Sequence, residues 1–160
     1  KKVLFFLRRS SMNLKVYLSG EIHSEWREEI KNKTISEGLK VEFYQPILDH
    51  SLSDDCGALL LGEEEKKFWH DHKGAKLNSI RIKKGIQDAD IIVVRFGNQY
   101  KQWNAAFDAG YAAALGKAII IIHSEEHQHA LKEVDAAAMA VVDSHDKVIK
   151  ILKYVLNGEI

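Results

Sequence analysis

Residues 87–123, QDADIIVVRFGNQYKQWNAAFDAGYAAALGKAIIIIH, decide the fold of this chain. Ile91, Ile92, Val93 and Val94 form an unbroken apolar run, too short for a helix and entirely β-branched. Such a run reads as a strand buried on both faces. A polar loop over 97–102 leads into an alanine-rich segment, 103–115, and Gly116 is placed to end that helix as a left-handed cap. Residues 118–122 repeat the buried-strand pattern. Strand, loop, helix and strand in this order predict a βαβ unit, whose crossover is almost always right-handed.

One residue in the unit is out of place. Asp108 lies mid-helix among Ala105, Ala106, Phe107, Ala109, Ala112 and Ala113. Asn104 is four residues earlier, so the two side chains share a helix face. In an open α/β sheet, ligands bind outside the carboxyl ends of the strands, where helices of this kind begin. Spacing alone leaves two readings open: an exposed acid on the outer face of an amphipathic helix, or a carboxylate set into a crevice.

The order D-A-D-I-I-V-V, polar loop, F-D-A-G-Y-A-A-A-L-G-K-A-I-I-I-I resembles the signature of the nucleoside 2-deoxyribosyltransferases. Tyr17-Leu18-Ser19-Gly20 is similar to that family's first strand and turn, and the chain from Met12 onward resembles its YtoQ branch. The resemblance implies that Asp108 occupies the position of the family's nucleophilic glutamate, with a side chain one methylene shorter. It further implies a first loop in which Tyr17, Ser19, Gly20, Glu21 and His23 line a nucleoside pocket. Asn98, Trp103 and Asn104 are the corresponding candidates from the second loop and helix, and Tyr100 and Gln102 are candidates to touch the base. In related enzymes an aspartate near the end of the preceding helix assists proton transfer to the base; here Arg81 and Ile82 stand near that place. Family members commonly complete their sites across subunits, so the resemblance also implies a homo-oligomer.

The remaining chain fits a single domain over 12–160, with enough length for a substantial core. Residues 1–11, KKVLFFLRRSS, carry an apolar stretch too short for a signal peptide or a membrane span. They read as an extension ahead of the domain. Lys plus Arg equals Asp plus Glu at 23 each, and no concentrated basic surface points to a nucleic-acid partner. The single cysteine, Cys56, excludes an intramolecular disulfide and suits a cytoplasmic protein.

Residues 14–18 read as the first strand, and Ser24 as the N-cap of a helix running to about residue 37. The turn between them also suits an anion held by backbone amides. Residues 39–44 form the second strand. The stretch 47–76 is dense in Asp, Glu and His, but no spacing matches a metal-ligand pattern, and neither metal nor cofactor is expected. Within it, Phe68 or Trp69 could stack on a base or pack on the sheet. A helix over 73–87 follows, with Asp88 and Asp90 capping its end or the turn into the third strand. Residues 125–138 read as a helix, 139–142 as a fifth strand, and Ser144 opens a last helix that Gly158 ends.

Five strands alternating with five helices predict a three-layer α/β domain, flavodoxin-like or Rossmann-like, with a parallel sheet in the order 2-1-3-4-5. That order places the crevice between strands 1 and 3, bringing the 17–23 loop beside the 97–108 segment. The expected activity is 2-deoxyribosyl transfer or hydrolysis on a nucleoside or nucleotide, with Asp108 as nucleophile and Tyr17 as a catalytic donor. Asn104, Tyr17 and the helix amides are expected to hold the Asp108 carboxylate ionised. The rival reading is a nucleotide-binding or sensing module that uses the same crevice without turnover.

Overall fold

The computed structural model describes residues 13–158. The expectation for residues 1–11 lies outside the described residues. Five strands form one parallel sheet: β1 (Leu14–Gly20), β2 (Val41–Tyr44), β3 (Ile91–Arg95), β4 (Ala118–Ile122) and β5 (Ala140–Val142). Their order is β2-β1-β3-β4-β5, as the sequence predicts. The chain reverses direction across the sheet between β2 and β3, so the point where the order turns lies between β1 and β3.

Period-two alternation sorts the strand side chains into two cores. Val16, Leu18, Val93, Ile120 and Ile122 meet Trp26 and Ile30 of α1 (Trp26–Ser36) and Val148 and Leu152 of α6 (His145–Asn157). Tyr17, Ile92, Val94, Ile119 and Ile121 meet Ile86 of α3 (Lys67–Asp88) and Ala105, Ala109 and Ala112 of α4 (Trp103–Ala114). Both faces of β3 and β4 are thus covered, which is why their sequences run apolar without a break. Each fully buried isoleucine contributes about 1.5–3 kcal/mol by leaving water. The alanine stripe of α4 lets its backbone lie close to the sheet, so its next side chain, Asp108, is held near the strand ends.

The helix ends follow local chemistry. Gly116 adopts φ 68°, with its N–H on the Ala113 carbonyl at 3.0 Å and the Lys117 N–H on Ala112 at 3.0 Å. This is a Schellman motif closing α4, and it bears out the reading of Gly116 as a cap. Asp90 does not cap a helix. Its carboxylate accepts from the Lys15 N–H at 2.8 Å while its own N–H donates to the Lys15 carbonyl at 2.8 Å, fixing where β1 enters the sheet.

Two expectations fail. Ser24 is not an N-cap: α1 begins two residues later, and the Ser24 hydroxyl donates to Glu21 Oε2 at 2.6 Å instead. The predicted helix over 125–138 is a 3-10 turn (Glu125–His127) followed by the short α5 (Lys132–Ala136). The 47–76 stretch, which the sequence suggests is a solvated loop-and-helix region, is a mostly exposed helical hairpin of α2 (His50–Leu61) and the first half of α3. Asp49 is the N-cap of α2, its carboxylate accepting the Leu52 N–H at 2.9 Å. The two helices touch backbone to backbone at Gly57 and Gly74, where an added Cβ would sit 2.7 Å and 2.8 Å from main-chain atoms of the partner helix. Cys56 packs in the same seam, 3.6 Å from the Gly74 carbonyl. Phe68 and Trp69 stand largely in solvent, neither on the sheet nor over the crevice.

Candidate active site

The carboxyl end of β1 is held by a buried cation. Arg27 of α1 is 2 % exposed and donates to the carbonyls of Leu18 (3.3 Å), Gly20 (3.1 Å) and Glu21 (2.6 Å). Burial lowers its pKa to about 10, so it remains charged at neutral pH. These three bonds fix the orientation of the last peptide units of the strand and hence the Ser19 side chain. In the sequence Arg27 looks like any surface residue of a polar helix, and nothing signals this role.

Ser19 shares the sheet face of Tyr17, and α4 brings Asp108 to it. The Ser19 hydroxyl donates to Asp108 Oδ2 at 2.6 Å across the switch point between β1 and β3. Asp108 is only 7 % exposed. It is therefore not an outer-face acid. Burial pushes its carboxyl up to about 6, and the Ser19 bond pulls in the opposite direction. The expected low pKa is thus reversed: Asn104 and Tyr17 donate nothing to the carboxylate, and desolvation dominates. Tyr17 is 1 % exposed and its hydroxyl has no hydrogen-bond partner. Burial first, and then the nearby Asp108 charge, raise its pKa well above the ordinary phenol value, so it stays protonated and able to donate.

Asp108 and Asn104 line a cavity of about 540 Å³ between α2, α3 and α4, together with Ser53, Asn78, Phe107 and Tyr111. A smaller extension of about 100 Å³ reaches Ser19, Gly20, Pro46 and Arg81. Ser53 and Asn78 were missed in the sequence. The Asp49 cap is the one local signal of the helix that carries Ser53, and the density of charge around it masks it.

The two polar clusters do not converge on one pocket. Glu21, His23 and Asn98 line a separate crevice of about 480 Å³ with Arg95, His123 and His145. The cause is Gly20. Its φ of 106° breaks the alternation that would have kept Glu21 on the Ser19 side. The Glu21 carboxylate then turns back on its own loop, accepting from the His23 N–H and from Ser24. The chain's own carboxylate fills the place where the turn was expected to hold an anion. Trp103 is 75 % exposed and lines neither cavity. Gln102 is occupied in the loop, its side-chain oxygen accepting the Gly97 N–H at 3.0 Å, and Tyr100 packs on the His23 ring at 4.6 Å. Among the described residues, no three or more His, Cys, Asp or Glu side chains are grouped to hold a metal ion, and no helix is long and apolar enough to cross a membrane.

A buried acid with a raised pKa costs stability. The folded state binds the Asp108 proton more tightly than the unfolded chain, whose carboxyl titrates near 3.8. Stability is therefore expected to fall as pH rises from about 4 to about 6 and to level off above. The span corresponds to about 3 kcal/mol. Asp108→Asn keeps an oxygen for the Ser19 hydroxyl and removes the charge. It is expected to stabilise the protein by up to about 3 kcal/mol at pH 7 and by nothing below pH 4, read by urea denaturation. An unchanged or lower midpoint at pH 7 would contradict the burial cost assigned to this carboxylate.

The geometry can be set beside known proteins. Residues 17–156 match the model of the family described as nucleoside 2-deoxyribosyltransferase YtoQ. The chain is 42 % identical over 148 residues to the YtoQ protein of Bacillus subtilis (strain 168), an alignment covering 92 % of this chain and 100 % of that one. Among solved structures, a conserved protein from Enterococcus faecalis V583 superposes with a TM-score of 0.63 at 14 % identity, covering 91 % of this chain and 100 % of the other. The CMP N-glycosidase BcmB of Clostridium botulinum gives 0.50 at 13 % identity, over 89 % and 99 %. At those identities the structural likeness is one of fold. The match over 17–156 and the identity to the Bacillus protein carry more: the chain belongs to the nucleoside 2-deoxyribosyltransferase YtoQ family.

Proposed function

We propose that this protein cleaves the N-glycosidic bond of a nucleoside or nucleotide through a covalent intermediate on Asp108, passing the sugar to a second base or to water. The observation that carries the proposal is the Asp108 carboxylate itself, nearly buried in a cavity wall and bonded to Ser19 at 2.6 Å. Family membership supports the reaction class.

In the first step a carboxylate oxygen of Asp108 attacks the anomeric carbon. The new C–O bond forms as the C–N bond breaks, and the bonding electrons leave on the base, which takes up a proton. In the second step a water or an incoming base attacks the same carbon and releases the carboxylate. This is the two-step logic of retaining glycosidases, with an oxocarbenium-like transition state. Ser19 holds one oxygen of Asp108 and so aims the other. The Tyr17 hydroxyl, unpartnered and behind the cavity wall rather than on it, is a donor in reserve for the Asp108 carboxylate.

A carboxyl titrating at about 6 is about nine-tenths ionised at pH 7, so the nucleophile is available without a further base. The proposal therefore predicts that kcat/KM rises with pH around a midpoint of about 6 and is level above it. Ser19→Ala removes the bond that favours the ionised form, so its midpoint moves upward and its activity at pH 6 falls more than its activity at pH 8. Base release followed by chromatography across pH 5–9 checks both. A profile that is flat down to pH 5 in wild type would remove an acid of this kind from the rate-determining chemistry.

A further inference from the structure

The recess of about 100 Å³ beside Asp108 is lined by donors that have nothing to donate to. Arg81 of α3 is one of them. Among the described residues no carboxylate pairs with its guanidinium and no hydrogen bond engages it. Asp108 does not neutralise it: no cation offsets the burial of that carboxyl, which only the Ser19 bond pulls down. The Arg81 charge is felt at the Tyr17 hydroxyl, whose pKa it lowers against burial, so the guanidinium lies on the β1 side of α3. Ser53 accepts from Asn78 Nδ2 at 3.1 Å and keeps its own proton. The Asn104 side-chain amide, also on the recess wall, makes no hydrogen bond among the described residues. The other acids of the main cavity are already matched, Asp54 with His50 at 2.9 Å and Asp71 with Lys67 at 2.9 Å. A guanidinium, a hydroxyl and an amide thus surround a space whose one carboxylate, Asp108, is held by Ser19.

We propose that the recess takes the 5′-phosphate of the substrate on Arg81, so that the protein acts on nucleoside 5′-monophosphates in preference to nucleosides. The inference rests on the reading of the Asp108 cavity as a nucleoside site and narrows its substrate. In a nucleotide the base is carried at C1′ and the phosphate-bearing carbon at C4′, on either side of the ring oxygen. C1′ lies against Asp108, and of the two connected volumes the larger, about 540 Å³, has room for the base. The 5′ end then points into the smaller one, where Arg81 stands. A guanidinium meets a phosphate with two parallel N–H···O bonds, and such charge-assisted bonds are about twice as strong as neutral ones. Lys83 is a second cation without a carboxylate partner, but its ammonium lies over the Tyr111 ring at 5.9 Å and it lines the main cavity, not the recess.

The test measures binding by calorimetry in Asp108→Asn protein, which keeps the Ser19 bond and holds substrate without turnover. The ligands are 2′-deoxyadenosine, 2′-deoxycytidine, 2′-deoxyguanosine and thymidine, each paired with its 5′-monophosphate. For every base that binds, the monophosphate is expected to bind at least about tenfold tighter, with a ratio that shrinks as salt is raised. Adding Arg81→Gln should bring the ratio close to one and leave affinity for the nucleoside within about twofold. Arg81→Lys keeps the charge without the planar fork and should restore part of the ratio. Arg81 engages no partner, so both variants are expected to keep the urea midpoint of the parent protein. Equal binding of nucleoside and monophosphate would overturn the phosphate subsite while leaving the nucleoside site standing. A preference that survives Arg81→Gln, whether or not Lys83→Gln removes it, would overturn the assignment to the recess. Failure of every ligand to bind would overturn the reading of the cavity itself.

Discussion

Asp108→Ala is expected to lower release of base from a 2-deoxynucleoside by at least about a thousandfold, leaving the protein folded. Removing the nucleophile of a covalent mechanism costs this much because the remaining binding groups supply only the residual acceleration. The fold has little reason to fail. The side chain lies on the edge of a cavity, its one hydrogen bond goes to Ser19, and at pH 7 its charge is a burden on stability. The same substitution thus separates chemistry from structure: activity lost, urea midpoint unchanged or raised. A variant that keeps activity within tenfold of wild type would remove Asp108 as nucleophile. The resemblance to the deoxyribosyltransferase signature implies a glutamate at this position in related enzymes, and a shift of about 1 Å at a reacting atom can cost about a hundredfold in rate. Slow turnover in wild type is therefore compatible with the mechanism; insensitivity to Asp108→Ala is not.

The largest structural effect is expected at Gly20. A Cβ there would sit 2.1 Å from the Arg95 carbonyl oxygen, and the residue's φ of 106° is one that side-chain-bearing residues rarely adopt. The neighbouring backbone cannot yield cheaply. Gly20 pairs with Arg95 in the β1–β3 register, and the Glu21 N–H donates to the same Arg95 oxygen at 3.0 Å. Gly20→Ala is expected to cost about 3–5 kcal/mol, a large share of the stability of a domain this size. Gly38→Ala is the internal control. Gly38 also has positive φ, 65°, but nothing lies within 4 Å of its added Cβ, so about 1 kcal/mol is expected. Urea denaturation of the two variants side by side checks the contrast. Equal, small losses would mean that the β1–β3 ridge is not closed as described, and the separation of the two crevices would lose its basis.

Much of this fold was legible because the strongest signals sit where packing is simplest. The β-branched run 91–94, the apolar run 118–122 and Gly116 between them require little beyond burial and one left-handed residue, and they define the central βαβ unit. The 47–76 stretch was harder to read. Its helices are stabilised by a hairpin contact between Gly57 and Gly74, and a contact of that kind leaves no periodic trace. The site divides along the same line. That Asp108 and Ser19 meet follows from strand alternation and the alanine stripe of α4. That Glu21, His23 and Asn98 do not join them follows from a single φ angle at Gly20, which strand order alone does not convey.

The most direct measurement is intact-protein mass spectrometry after incubation with a panel of 2′-deoxynucleosides and their 5′-monophosphates, with wild type and Asp108→Ala run together. The account predicts a deoxyribosyl adduct on wild type that maps to Asp108 and is missing from the variant. Free base released at equal rates by both proteins, with no adduct on either, would contradict it. Saturable ligand binding with no release of base at all would instead assign this cavity to a nucleotide-binding module.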